Sequence, residues 1–250
     1  MRKNVMLARN IGIIGDGATD IAIFKKISEC ILSDEDQNNV TLNYIELNRQ
    51  TIHDAVDKYC READKIKDSC YLTGKEALAL KNSVTRTIFG AFSDFESELG
   101  LISNRDIILV TADSEHTFSH PDDYFKDWRV SISKILVSSV EEFYRAKVRE
   151  GYIHEYLPVV IPFVVFPSTE ILLAAAKIDS QIFIKSAYGK KPRELKQLLY
   201  GTTELQTITD EDFNKKALDF INLESIGRIF QNVPEFRTFM QTLSLGKYSI

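Results

Sequence analysis

Apolar residues follow two rhythms along this chain. Ile11 to Ile14 form a short continuous run that stops at Gly15-Asp16-Gly17, and Ile21, Ile23, Phe24 and Ile27 then recur at helical spacing. That pattern predicts a buried strand, a tight turn and a helix. Val40 to Leu47 alternates, with Val40, Leu42, Tyr44 and Glu46 on one side and Thr41, Asn43, Ile45 and Leu47 on the other, as a second strand would. Residues 50–66 are polar and read as a helix. Leu80, Val84, Ile88, Phe92, Phe95, Leu99 and Ile102 repeat every three or four positions, which predicts one long amphipathic helix between Gly74 and Gly100. Asp106 to Ala112 reads as a strand buried on both faces. Ile132, Ile135, Leu136, Val140, Phe143 and Val148 mark a helix over 130–149, closed by Gly151. Leu157 to Phe166 is a third apolar, β-rich run, followed by a helix that Ser168 or Thr169 would cap. Strands alternating with helices place the chain in the α/β class.

After residue 181 the pattern changes. Residues 210–250 predict two or three short helices, with Phe220, Leu223, Ile226, Ile229 and Phe230 as core. We expect one α/β domain over 1–180, with helical insertions at about 50–104 and 121–150, and a basic then helical extension over 181–250 packed on it. No internal repeat or low-complexity tract interrupts it.

Charge sharpens this picture. The formal net charge is −5, which argues against a surface coated for nucleic acid. Against that background Lys185, Lys190, Lys191, Arg193 and Lys196 form a local basic cluster, with Tyr188 and Tyr200 interleaved. It is the obvious place for a polyanion contact, and a solvated helix face is the competing reading. Cys30, Cys60 and Cys70 are odd in number and lack C-x-x-C spacing, so reduced thiols of a cytosolic protein are expected, and no zinc site. No signal peptide is expected at the N-terminus. The longest apolar run is broken by Pro158 and Pro162 and is too short to span a membrane. His53 stands alone on a polar helix and reads as a solvated side chain. Trp128 beside Arg129 reads as packing or an aromatic-basic contact.

Candidate chemistry gathers where strands end. Asp16 and Asp20 follow the first strand, Asp113 and Glu115 follow the 106–112 strand, and Glu170 follows the 157–166 strand. Open α/β sheets place ligands at that end of their strands, and carboxylates there suit a divalent metal. Each acid also has a plain reading, as a turn residue or a first-turn acid favoured by the helix dipole. Gly15-x-Gly17 resembles the start of a dinucleotide fingerprint, but Asp20 occupies the third glycine position and Asp16 would repel a pyrophosphate. A phosphate-binding P-loop would need a Lys-Ser/Thr pair that the turn lacks. Gly15-Asp16-Gly17-x-x-Asp20 is also close to a late motif of the haloacid dehalogenase phosphohydrolases, but the Asp-x-Asp pair that family needs upstream is missing.

The order of these motifs resembles the Toprim superfamily. It is most similar to the small stand-alone, overcoming-lysogenization-defect-like proteins of bacterial anti-phage systems. The resemblance rests on Gly15-Asp16-Gly17-Ala18-Thr19-Asp20, Asp113-Ser114-Glu115 and Ser168-Thr169-Glu170 before Ile171-Leu172-Leu173-Ala174, with a similar flavour in Leu223-Glu224-Ser225-Ile226 to Val233-Pro234-Glu235-Phe236. It implies a Rossmannoid core with a mostly parallel sheet flanked by helices, and a Mg²⁺ or Mn²⁺ site. Asp16, Asp113 and Glu115 would be the catalytic acids and metal ligands, with Asp20 and Glu170 as supporting ligands. It implies a nuclease acting on DNA or on structured RNA such as tRNA, in an anti-phage defence system with a partner ATPase. Lys185, Lys190, Lys191, Arg193 and Lys196 are the residues expected to contact nucleic acid. Asp16 stands where that motif usually carries Glu, one methylene longer. A Toprim-like subunit that binds metal or a partner without cutting is the alternative.

Overall fold

A computed structural model of the chain describes residues 8–35, 41–47, 51–65, 74–201 and 210–245. Among these, four strands form one sheet: β1 (Ala8–Ile14), β2 (Thr41–Glu46), β3 (Ile107–Asp113) and β4 (Val159–Val165). All neighbours pair in parallel, in the order β2-β1-β3-β4. Parallel neighbours need crossovers, and helices supply them. These are α1 (Ala18–Glu35), α2 (Thr51–Lys65) with α3 (Lys75–Leu99), and α4 (Val130–Arg149). Beyond β4 come α5 (Glu170–Lys177), α6 (Ser180–Ser186), α7 (Pro192–Tyr200), α8 (Asp210–Asp219), α9 (Leu223–Asn232) and α10 (Pro234–Leu245). This is an α/β fold with a Rossmann-like core and a helical C-terminal region. No described helix is long and apolar enough to cross a membrane.

The period-two pattern of the strands sorts their side chains into two cores. Register places Ile11 beside Ile107 and Ile107 beside Val159. The odd-numbered apolar residues of these three strands therefore share a face, where they pack with α1 and residues of α5 to α10. The even-numbered ones, with Ile14, Ile108, Val110, Val160 and Val164, pack against α2, α3 and α4. The C-terminal helices thus share a core with the sheet through Ile226, Ile229, Phe236 and Phe239. Leu223, expected in that core, is 59% exposed. It opens α9 directly after Asn222, whose side chain caps the helix at Ser225, and the first turn faces outward. Phe220 and Phe230 are only partly buried. Helix α1 runs through Glu35. Val40, read as the start of the second strand, and Cys70 lie outside the described residues.

Gly12 is set by packing. A Cβ there would stand 2.6 Å from Leu47 Cδ1 and 3.2 Å from the Phe95 ring, so α3 can press onto β1 only over a bare backbone. Gly15 and Gly17 are not among the positive-φ residues. Their value to the turn is therefore not left-handed backbone, contrary to the steric argument their spacing suggests.

The amino-terminal end of the sheet is held by one buried acid. Asp106 Oδ1 accepts from Asn10 N (3.1 Å) and Asn10 Nδ2 (2.9 Å), and Oδ2 accepts from Ser103 N (2.8 Å) and Ser103 Oγ (3.1 Å). It ties β1 to the loop entering β3 and fixes their register from below. Removing an acceptor of four hydrogen bonds leaves buried donors unmet. Asp106→Ala should therefore lose about 3 kcal/mol in urea unfolding, while Asp106→Asn, which keeps one acceptor oxygen, should lose less.

Candidate functional site

In a 2-1-3-4 sheet the chain leaves β1 toward β2 on one side and returns to β3 on the other. Ligands of such folds sit at that switch point, beyond the carboxyl ends of the strands. Asp16 follows β1 there, and Asp113 is the last residue of β3. The two are joined directly, as Asp113 N donates to Asp16 Oδ2 at 2.8 Å. Thr111 Oγ1 donates to Ile14 O at 2.7 Å one step below, closing the same seam.

The third loop is tied to the second. Thr169 N and Thr169 Oγ1 each donate to Asp113 Oδ1 at 3.0 Å. Thr169 precedes α5 but does not cap it with its side chain, contrary to the capping role its position suggests. Its hydroxyl is spent on Asp113 instead. Ser168 Oγ donates to Glu170 Oε2, and Lys196 Nζ from α7 lies 3.3 Å from Glu170 Oε1. Ser114 N bonds Val165 O (3.0 Å) and Glu115 N bonds Pro167 O (2.8 Å), which carries the β3–β4 pairing past the ends of the strands.

These bonds tie Asp16, Asp113 and Glu170 together, and Asp20 lies near enough for their charges to act on it. Burial pushes Asp113 well above the usual carboxylate range, and the charges of Asp20, Glu170 and Asp16 push the same way. Burial raises Asp20 to about 7, helped by Glu170 and opposed by a hydrogen bond from Thr169. Burial lifts the Tyr200 phenol, as do the nearby charges of Glu170 and Asp20. Burial works against the charge of Lys196, but Glu170 outweighs it and holds the ammonium above its ordinary value.

Glu115 stands apart. It is exposed and has φ of +58°, the left-handed region that few non-glycine residues adopt. Burial raises its pKa and His53 lowers it. The charges that act most on Asp113 are those of Asp20, Glu170 and Asp16, not that of Glu115. Asp20 and Glu170 take the closer places.

His53 is the residue the sequence reading misplaced. Its Nδ1 lies 3.5 Å from Asp16 Oδ2, and its side chain is 32% exposed, so it is no solvated bystander. The Asp16 carboxylate raises it to about 9, against the effect of burial. The signal lay in topology: His53 is in the first turn of the helix after β2, and that turn faces the carboxyl end of the sheet. His116, beside Glu115, lies 3.2 Å from Asp64 of the same helix.

The basic cluster divides. Lys196 reaches into the acidic group, whereas Lys185, Lys191 and Arg193 are exposed and Lys190 is partly so. Among the described residues none of these four joins an ion pair. Tyr188 and Tyr200 are partly buried and pack against the core. Arg129 does stack, 5.4 Å from the Trp128 ring and 5.5 Å from that of Phe118, while paired to Asp127 at 2.6 Å.

The donor set is that of a hard divalent cation: carboxylate oxygens on the ends of rigid strands. One observation favours such a guest. Asp16 Oδ1 is buried and accepts no hydrogen bond. Against it, no three acid, histidine or cysteine side chains among the described residues converge closely enough to enclose an ion as they stand.

Crowded acids have a thermodynamic signature. Because the folded state holds the Asp20 proton more tightly than the unfolded chain, the Asp20 contribution to stability is greatest below about pH 4 and is lost as pH rises toward about 7. In chelator-treated protein, Asp20→Asn should flatten that fall and gain on the order of 2 kcal/mol at neutral pH, measured by urea unfolding across pH.

Set against protein-family models, curated proteins and solved structures, the chain matches none of them.

Proposed function

We propose that this protein is a Mg²⁺- or Mn²⁺-dependent phosphodiesterase of Toprim type that acts on nucleic acid. The observation that carries the reading is the gathering of Asp16, Asp20, Asp113 and Glu170 at the β1/β3 switch point, with Asp16 Oδ1 buried and unbonded. Asp16, Asp20, Asp113 and Glu170 would hold the metal, with Glu115 on its outer side. A divalent cation held there supplies Lewis-acid polarisation of a phosphoryl oxygen and an acidified water. The chain's own residues do the rest. Asp113 N and Thr169 fix the carboxylates, and His53 sets a cationic edge beside Asp16. Lys196 balances Glu170. The exposed Lys185, Lys191 and Arg193 lie on the helices that lead to Lys196, where they would contact a phosphate backbone. With a net charge of −5, a partner protein would supply part of the nucleic-acid affinity or its control, an ATPase being the kind that the family resemblance implies.

A second reading has its own support. Asp16 is short, its Oδ2 already accepts from Asp113 N, and among the described residues no three ligands converge. This describes a subunit that binds a metal or a partner and does not cut.

One experiment separates the two. Mn²⁺ and Mg²⁺ are titrated calorimetrically into wild type and Asp113→Ala/Glu115→Ala, beside cleavage assays on plasmid DNA and bulk tRNA. The expected outcome is saturable binding and cleavage in wild type, both lost in the double variant. Binding without cleavage supports the second reading, and there Asp16→Glu should restore cutting if reach is what the site lacks. No metal binding would return the acids to turn residues.

A further inference from the structure

Away from the acidic group, along the outer edge of β4, lies a partly open recess of about 90 Å³ between α4 and α10. At ~30 Å³ per water it holds roughly three water-sized groups. Its walls are largely apolar, including Leu136, Ile161, Phe163 and Phe239. Glu235, the second residue of α10, also lines it and is 5% exposed. Its Oε1 accepts a long hydrogen bond from Phe166 N (3.4 Å), and its Oε2 is buried with no partner. Among the described residues no ion pair involves Glu235. A buried carboxyl oxygen without a donor is costly, and it asks for an N–H or a cation.

The edge itself is closed to a peptide strand. Val160 N donates to Tyr144 Oη at 2.8 Å, Pro162 has no N–H, and Phe166 N is taken by Glu235. Capped amides and an edge proline deny an incoming strand its ladder. A bare divalent ion would want several anionic oxygen ligands, whereas Glu235 is the one carboxylate in a lining whose other polar groups are the hydroxyls of Tyr124, Ser133, Thr238 and Thr242.

We propose that the recess binds a small primary alkylammonium, with its ammonium on Glu235 Oε2 and a short alkyl chain against Leu136, Ile161, Phe163 and Phe239. The N–H donors satisfy the orphaned oxygen, and the methylenes leave water for the apolar wall.

Burial pushes the Glu235 carboxyl up to about 8, so the test is calorimetric titration of n-propylammonium chloride into the full chain at about pH 9, where that carboxyl is ionised, with n-propanol and potassium chloride as matched arms. Saturable millimolar binding is expected for propylammonium, with propanol weaker by at least about tenfold because it brings no charge to Glu235. Glu235→Gln should lose at least about tenfold in affinity. Thr238 lines the recess at an exposed position, so Thr238→Trp should obstruct it and abolish binding while leaving Glu235 in place, which keeps the test decisive if Glu235→Gln does not fold. No binding of propylammonium, equal binding of propanol, an equal response to potassium, or unchanged binding in both variants would each overturn the proposal.

Discussion

Carboxylates brought together away from water repel one another, and this protein holds four of them at one edge of its sheet. Asp113 and Asp20 both bind their protons more tightly for it. What keeps them in place is a short chain of hydrogen bonds from backbone and hydroxyl donors. Asp113 N serves Asp16, and Thr169 N and Oγ1 serve Asp113. Three loops from three parallel strands are thereby tied to each other through side chains that repel. The rest of the fold exists, in effect, to make that edge rigid enough to tolerate the strain, as functional sites commonly require.

Rigidity comes from two directions. The sheet is buried on both faces, with α2, α3 and α4 on one and α1 with the C-terminal helices on the other. Asp106 locks the amino-terminal ends of β1 and β3, while the β3–β4 pairing continues through Ser114 and Glu115 into the loops. The helices after β4 have a further role. Lys196 of α7 reaches back to Glu170, so the C-terminal region contributes charge to the site as well as apolar surface to the core.

The cations around the acids are unevenly placed. His53 faces Asp16 from the α2 side, and Lys196 faces Glu170 from the α7 side. Glu115 is exposed, and the charge of His53 opposes the rise that burial gives its pKa. The acids thus have a cationic group on either flank, which offsets part of the repulsion among them.

Much of this was written in the order of residues. The strands, the long α3, the α4 helix and the three last helices follow from apolar periodicity, because a period of two or of 3.6 must match the face that is buried. The acids after each buried strand were legible too, since a strand that ends at a polar turn in an α/β chain ends at the ligand-binding edge. Tertiary structure decided what local pattern cannot encode. Strand order set which loops meet, and so put His53 beside Asp16 although 37 positions separate them in the numbering. Glu115, two positions after Asp113, stands exposed, while the distant Asp20 and Glu170 act on Asp113. Thr169, read as a cap, was drawn to Asp113 because a buried carboxylate is the stronger acceptor. Period and composition act within an element, whereas charge and hydrogen bonding act through space, and only the folded chain fixes that distance.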